Sequence, residues 1–272
     1  MTSIATNRAA IRVQYHGVGN ADLENQSFTR LASGRRINSA SDDAAGLFIA
    51  GRMKAQITGL ERAVQNSFDG VSLVNTAEAN LNEIRNMVLR MREIAVQMAN
   101  GIYLDNPDRG FAQIEIDQLI QQIDLIAENA NFNGVALLDG TMQNVGIQTG
   151  PTANERPSIF FKDNTTEGLG IDGVDVTTQA NAKSAMVTLE TALVSISDEI
   201  SRAGAYENRF GHTISVLEQT AVATKISRGR IMDADMASES TALSKAQVLS
   251  QANAAMLAQA NRAMSTVLTL FN

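Results

Sequence analysis

The side chains with the widest chemical repertoire are scarce in this chain. His16 and His212 are its only histidines and lie far apart in sequence. A zinc site or a serine-hydrolase arrangement would need groups that neither has nearby. There is no cysteine, which removes disulfides, thiolate nucleophiles and Cys-ligated zinc. Gly168-Leu169-Gly170-Ile171-Asp172-Gly173 fits the G-x-G-x-x-G phosphate pattern. That chemistry needs the loop to open a helix whose N-terminal N–H groups hold the pyrophosphate. Val174-Asp175-Val176-Thr177-Thr178 follows instead, a run of poor helix formers, so the string reads as a Gly-rich turn between β segments. Asp42-Asp43 and Asp233-Ala234-Asp235 offer neighbouring carboxylates without the spacing of a calcium loop. Each precedes a helical stretch, where acids cap orphan N–H groups. Arg35-Arg36, Arg52 with Lys54, and Arg85, Arg90 and Arg92 read as solvated helix faces or subunit contacts. These residues give no enzyme, no cofactor and no metal site.

The elements that carry them are helical and long. Steps of four and three link Met53, Ile57, Leu60, Val64, Ser67, Val71 and Val74. A three-residue step to Ala77 restarts the series at Leu81, Ile84, Val88, Met91, Ala95 and Met98. Only Ser67 breaks this stripe, which lies on one helical face. A helix over 43–99 would be roughly 85 Å long at about 1.5 Å per residue. Asn100-Gly101 and Pro107 stop it. A second stripe runs Ala112, Ile116, Leu119, Ile123, Ile126, Ala130 and ends at Asn133-Gly134. Residues 135–178 are glycine-rich, with runs at 145–148 and 158–161 that read as strands. Helical spacing returns at Ala182, Met186, Leu189, Leu193, Ile196, Ile200 and Ala203, and again at Phe210, Ile214, Leu217 and Ala221. The last stripe is Ala242, Ala246, Leu249, Asn253, Met256, Ala260, Ala263, Val267 and Leu270. Lys245 and Arg262 are the only charges after Glu239, so this helix needs partners.

The predicted fold class is mainly α: a long antiparallel helical rod or coiled-coil bundle with a small β-hairpin-rich insertion at one end. Its segments are 1–42, a helical stretch 43–134, the insertion 135–178, a second helical stretch 179–231, and 232–272. The C-terminal helices fold back along the N-terminal ones. Aromatic residues are 4% of the 272, without tryptophan, and Ala, Leu, Ile, Val and Met carry the apolar content, as in helix seams. A net charge of −7 argues against nucleic acid as a partner. No apolar stretch is long enough to cross a membrane. Residues 1–20 lack the apolar core of a signal peptide. If the protein is extracellular, it leaves by a route without that signal.

Several strings resemble bacterial flagellins. Arg30-Leu31-Ala32-Ser33-Gly34-Arg35-Arg36-Ile37-Asn38-Ser39-Ala40 with Asp42-Asp43-Ala44-Ala45-Gly46 is similar to the family's N-terminal signature. So is Leu89-Arg90-Met91-Arg92-Glu93-Ile94-Ala95-Val96-Gln97-Met98-Ala99-Asn100-Gly101. Phe132-Asn133-Gly134-Val135, Glu207-Asn208-Arg209-Phe210, residues 227–235, Lys245-Ala246-Gln247 and Leu257-Ala258-Gln259-Ala260-Asn261 resemble further family motifs, in family order. One departure is Arg8, Arg12, Tyr15, His16, Gly17 and Gly19, where the family has a Ser/Asn/Gln/Leu-rich helix. Each glycine there costs roughly 1 kcal/mol of helix stability.

The resemblance implies a short flagellin, with inner domains and little or no outer domain, that polymerises into the extracellular flagellar filament for motility. It implies terminal inner-tube segments at 1–42 and 232–272, rod helices at 43–134 and 179–231, and export through the flagellar type III channel without a cleaved signal peptide. The implied partners are copies of itself or other flagellins in a mixed filament, an export chaperone at the C-terminal helix, cap and hook-junction proteins, and an innate-immune receptor. Nucleic acid and membrane insertion are not among them. Assembly contacts are expected at Leu249, Met256, Ala263, Val267 and Leu270. Inter-subunit or domain-junction contacts are expected at Arg36, Ile37, Asn38, Asp42, Asp43, Arg90, Arg92 and Arg209. Arg90, Ile94 and Glu115 match the family's receptor-contact positions. The alternatives are a rod-shaped adhesin or ligand-binding surface protein, and a hook–filament junction relative. The terminal segments are expected to be unfolded in the monomer, or, where ordered, packed on neighbouring chains or on each other.

Overall fold

The computed structural model describes residues 6–105, 107–142 and 144–269. The fold is mainly α, with a few short antiparallel strand pairs. The helices are α1 (Arg8–Ser33), α2 (Ala44–Met98), α3 (Asp108–Asn129), a single turn α4 (Thr166–Leu169), α5 (Gln179–Met232) and α6 (Met236–Thr269). The strands are β1 (Asn131–Phe132), β2 (Val135–Ala136), β3 (Val145–Gly146) and β4 (Ser158–Ile159). β1 pairs with β2 and β3 with β4. The chain forms two compact units, Met1–Ile57 with Ala223–Asn272, and Thr58–Val222.

The Thr58–Val222 unit holds the main core. The α2 stripe predicted from Val74 to Met98 is buried, with Val74, Ala77, Leu81, Ile84, Val88, Met91 and Ala95 wholly so. Ile116 and Ile123 of α3 and Leu189 and Ile196 of α5 join the same cluster. Ser67, the one polar member of the stripe, is also fully buried. Its Oγ donates to the Ala63 carbonyl at 2.7 Å, so the hydroxyl is satisfied within its own helix. Three residues on, a Cβ at Gly70 would stand 3.1 Å from the Phe210 ring, so glycine lets the aromatic lie against the backbone of α2.

The stop after α2 is built on one buried cation. Arg109 donates to the carbonyls of Met98, Tyr103 and Asn100 and pairs with Asp105. The strands of the insertion are shorter than the runs at 145–148 and 158–161 predict. The hairpin continues past them through Ile147 N to Pro157 O and Thr149 N to Glu155 O. Pro157 has no N–H to return, which interrupts the ladder. The Gly-rich string also departs from the turn between β segments that its sequence predicts. Gly168 belongs to α4, Gly170 is its left-handed C-cap at φ 68°, and irregular chain leads on to α5.

In the other unit α1 and α6 pack side by side. Gly34 ends α1 in the left-handed conformation, at φ 68°. The chain then binds the joint between α5 and α6: Arg36 N donates to Met232 O, and Ala234 N to Gly34 O. Ile37, Ala50 and Met232 form a small core there, with Leu47 and Ile231 against it.

Candidate functional site

No group of three or more His, Cys, Asp or Glu residues that could hold a metal exists among the described residues. His16 and His212 are both exposed. The candidate site is a set of surfaces at the joint and on the helices.

At the joint, the acidic pair divides its work. Asp42 accepts from Ser39 N and Asn38 N at 2.9 and 3.0 Å, and from the Ser39 hydroxyl. The Ser39 and Asn38 N–H groups, with the Ser39 hydroxyl, hold its carboxyl below the ordinary carboxylate range. Asp43 caps α2 through Gly46 N at 2.8 Å. Asp235 caps α6 through Ala237 N and Ser238 N. Asn38 Nδ2 reaches Arg35 O, and Arg36 Nη2 reaches Ile231 O at 2.8 Å. Arg36, Ile37, Asn38, Asp42 and Asp43 thus all lie in or beside one joint, with Ile37 buried and Arg36 and Asn38 exposed.

The α1–α6 pair covers a mixed seam and leaves large apolar residues outside it. On α1 the covered side chains are Ala10, Val13, Gly17, Asn20, Glu24, Ser27, Arg30 and Leu31. On α6 they are Leu243, Ala246, Asn253, Leu257, Ala260 and Met264. Large apolar residues face out, including Ile11, Tyr15, Val18 and Phe28 of α1 and Val248, Leu249 and Met256 of α6. A gap of about 320 Å³ remains around Gly17 and Asn253. Arg30 and Glu239 close one end of the pair at 2.9 Å, and Asn7 Nδ2 reaches Ala260 O at 3.2 Å near the other.

This splits the predicted C-terminal stripe. Ala246, Asn253 and Ala260 turn towards α1, whereas Ala242, Leu249, Met256 and Ala263 are exposed. The covered face of α6 is Leu243, Ala246, Asn253, Leu257, Ala260 and Met264, one position round the helix from the predicted stripe, so the stripe shares only every second member with it. Val267 lies on α6, but its side chain is outside the described residues, and Leu270 is outside them entirely. The outward stripe of α1 was missed in the sequence, although Ile11, Tyr15 and Val18 carry the four-three spacing that marks it. The Arg30–Glu239 pair has no such local signal, because its members are 209 residues apart.

On the Thr58–Val222 unit, Arg90 lies between α2 and α3. Its Nε donates to Glu115 at 2.9 Å and its Nη1 to Glu93 at 3.2 Å. These bonds to Glu115, then Glu93, raise the hold on its proton. Arg90 and Glu115 are exposed, but Ile94 is only 3% exposed and belongs to the core. Arg92 pairs with Glu190 of α5 at 2.9 Å. Arg209 is exposed on α5.

The chain matches two family descriptions, the bacterial flagellin N-terminal helical region over residues 4–143 and the bacterial flagellin C-terminal helical region over residues 186–271. A flagellin of Halalkalibacterium halodurans is 38% identical over 253 residues, covering 92% of this chain and 93% of that one. A flagellin of Treponema pallidum is 36% identical over 270 residues, covering 93% and 94%. A flagellar filament core protein of Brachyspira hyodysenteriae is 38% identical over 257 residues, covering 89% and 90%. Among solved structures, a Bacillus cereus flagellin aligns with a TM-score of 0.50 at 32% identity, over 56% of this chain and 88% of that one. A structure described as a flagellar hook-associated protein of Vibrio parahaemolyticus aligns at 0.59 over 71% of this chain and all of that one, with 12% identity, which speaks to the fold alone.

Proposed function

The chain belongs to the bacterial flagellin family and is a structural subunit of the flagellar filament, and from that premise we propose that α1 and α6 are the elements that polymerise it. The observation that carries this reading is the apolar outer face of the α1–α6 pair. With the pair formed, Ile11, Tyr15, Val18 and Phe28 on one helix and Val248, Leu249 and Met256 on the other stay exposed. Apolar surface of that kind on a single chain is surface meant for a partner. In a filament the partner is the same pair on neighbouring copies.

The rest of the functional reading follows in the same terms. The protein works outside the cell, carries no catalysis, and leaves through the flagellar export channel without a cleaved leader. The joint residues Arg36, Ile37, Asn38, Asp42 and Asp43 hold the start of α2 and the turn between α5 and α6 together within their own unit. An export chaperone takes the Leu249 and Met256 face of α6, as an amphipathic helix seats in a groove, and keeps it from associating before export. Filament cap and hook-junction proteins meet the same terminal helices. An innate-immune receptor reads Arg90 and Glu115, with Ile94 supporting them from beneath.

Electron microscopy of the purified protein, with and without filament seeds, tests polymerisation directly. Filaments that lengthen with protein concentration are expected. Protein that stays monomeric at high concentration in the presence of seeds overturns the assignment. Replacing both Leu249 and Met256 with aspartate should stop growth, and growth at the wild-type rate would remove α6 from the assembly surface.

A further inference from the structure

We propose that a second contact between copies lies in the Thr58–Val222 unit: Phe111 and Ile114 of α3 in one copy enter the groove between α5 and α2 of another. This rests on the reading of the chain as a filament subunit. The groove has a volume of about 650 Å³. Met186, Val187, Thr191 and Val194 of α5 line it, and the Arg92–Glu190 pair crosses its rim. Val187 and Val194 lie seven residues apart on one helical face and are 69% and 56% exposed. On α3 the side opposite the buried Ile116 and Ile123 presents Phe111 and Ile114, 68% and 58% exposed. A rigid apolar ridge and a rigid apolar groove therefore occur on two different faces of one unit.

Charge selects the occupant. Lys183 stands at the groove without an ion-pair partner among the described residues. The α3 helix carries Asp108, Glu115, Asp117, Asp124 and Glu128, and its one cation, Arg109, is buried. Glu115 is held by Arg90, and Asp124 by Thr166. Asp117, one turn beyond Ile114, is exposed, takes a hydrogen bond from Gln113 and has no ion-pair partner among the described residues. It supplies the partner for Lys183 when the ridge of a second copy enters the groove. An acidic, apolar ridge against a basic-edged, apolar groove is a contact between unlike faces. Such a contact does not close into a dimer by itself and continues from copy to copy, as a filament requires.

The absence of cysteine makes the test direct. A chain carrying both Ile114→Cys and Val187→Cys is assembled on wild-type seeds, oxidised and run without reductant. A ladder of dimer, trimer and longer species is expected from the double variant alone. Filaments that release only monomer, or single variants that give as much dimer as the double, overturn the proposal. Filament formation is scored by microscopy in the same samples. Failure of the wild-type chain to assemble would count against the filament reading, and assembly without a ladder counts against this contact. Val187→Asp, with helix content checked by circular dichroism, should slow seeded elongation at least about tenfold, the effect of placing an unpaired charge in an apolar contact. Elongation at the wild-type rate overturns the proposal. Asp117→Lys and Lys183→Asp should each slow elongation, and combining them should restore it. Absence of rescue removes the charge pair from the contact.

Discussion

Arg109 holds the turn after α2 with donors that no regular element supplies there. Buried to 97%, it satisfies the carbonyls of Met98, Asn100 and Tyr103. Arg109→Met keeps the stem and leaves those acceptors unmet. We expect a loss of about 3 kcal/mol in denaturant unfolding, from unsatisfied buried groups. A loss below about 1 kcal/mol would mean that water replaces the guanidinium. Asp42 supports a prediction of another kind. Its carboxyl is held below the ordinary value of 3.8, mainly by the Ser39 and Asn38 N–H groups. A carboxylate lowered by folding contributes stability above its unfolded value and loses it as pH falls through the folded one. The Ser39 amide resonance, followed by NMR on acidification, should therefore titrate with a midpoint below 3.8. A midpoint at or above that value would remove the Asp42 bonds from solution, and Asp42→Asn should abolish the transition.

At the scale of elements, α1 and α6 separate stability from assembly. Gly17 lies in α1 on the α6 side, yet a Cβ added there meets nothing within 4 Å. Gly17→Ala should stabilise the helix by up to about 1 kcal/mol, read as a rise in helicity or melting temperature. Destabilisation would mean that the gap beside Asn253 closes in solution. Leu249 and Met256 make the opposite case. Both are exposed in the single chain. Changing either to aspartate should leave monomer stability within about 0.5 kcal/mol while filament growth fails. A large loss of monomer stability would place these side chains inside the pair instead. The sequence made α6 legible as a helix with an apolar stripe. It could not say which half of the stripe meets α1, because that depends on packing against residues more than two hundred positions away.

At the scale of the whole molecule, the two units differ in what fills them. The Thr58–Val222 unit buries a continuous set of Leu, Ile, Val, Met and Phe. The α1–α6 pair mixes Leu243, Leu257 and Met264 with Ala10, Gly17, Asn20, Ser27 and Asn253, a smaller and more polar seam between two helices in water. Limited proteolysis of the monomer should therefore cut residues 1–40 and 235–272 before 58–222, and polymerisation should protect them. Equal resistance of these ends in monomer and filament would show that the pair is stable alone. Sequence periodicity by itself determined the long helices and the buried α2 face, since a four-three stripe has one way to be covered over that length. It also placed the Asp43 and Asp235 caps, because capping is a contact between near neighbours. The tertiary structure alone decided the rest. Ile94 became core because it joins the buried cluster that residues of α2, α3 and α5 share, and Arg109 became a buried staple because a turn closed around it. Lys183 of α5 and Asp117 of α3 were left exposed and, among the described residues, without an ion pair. Those outcomes depend on distances between segments far apart in the chain, which no local pattern encodes.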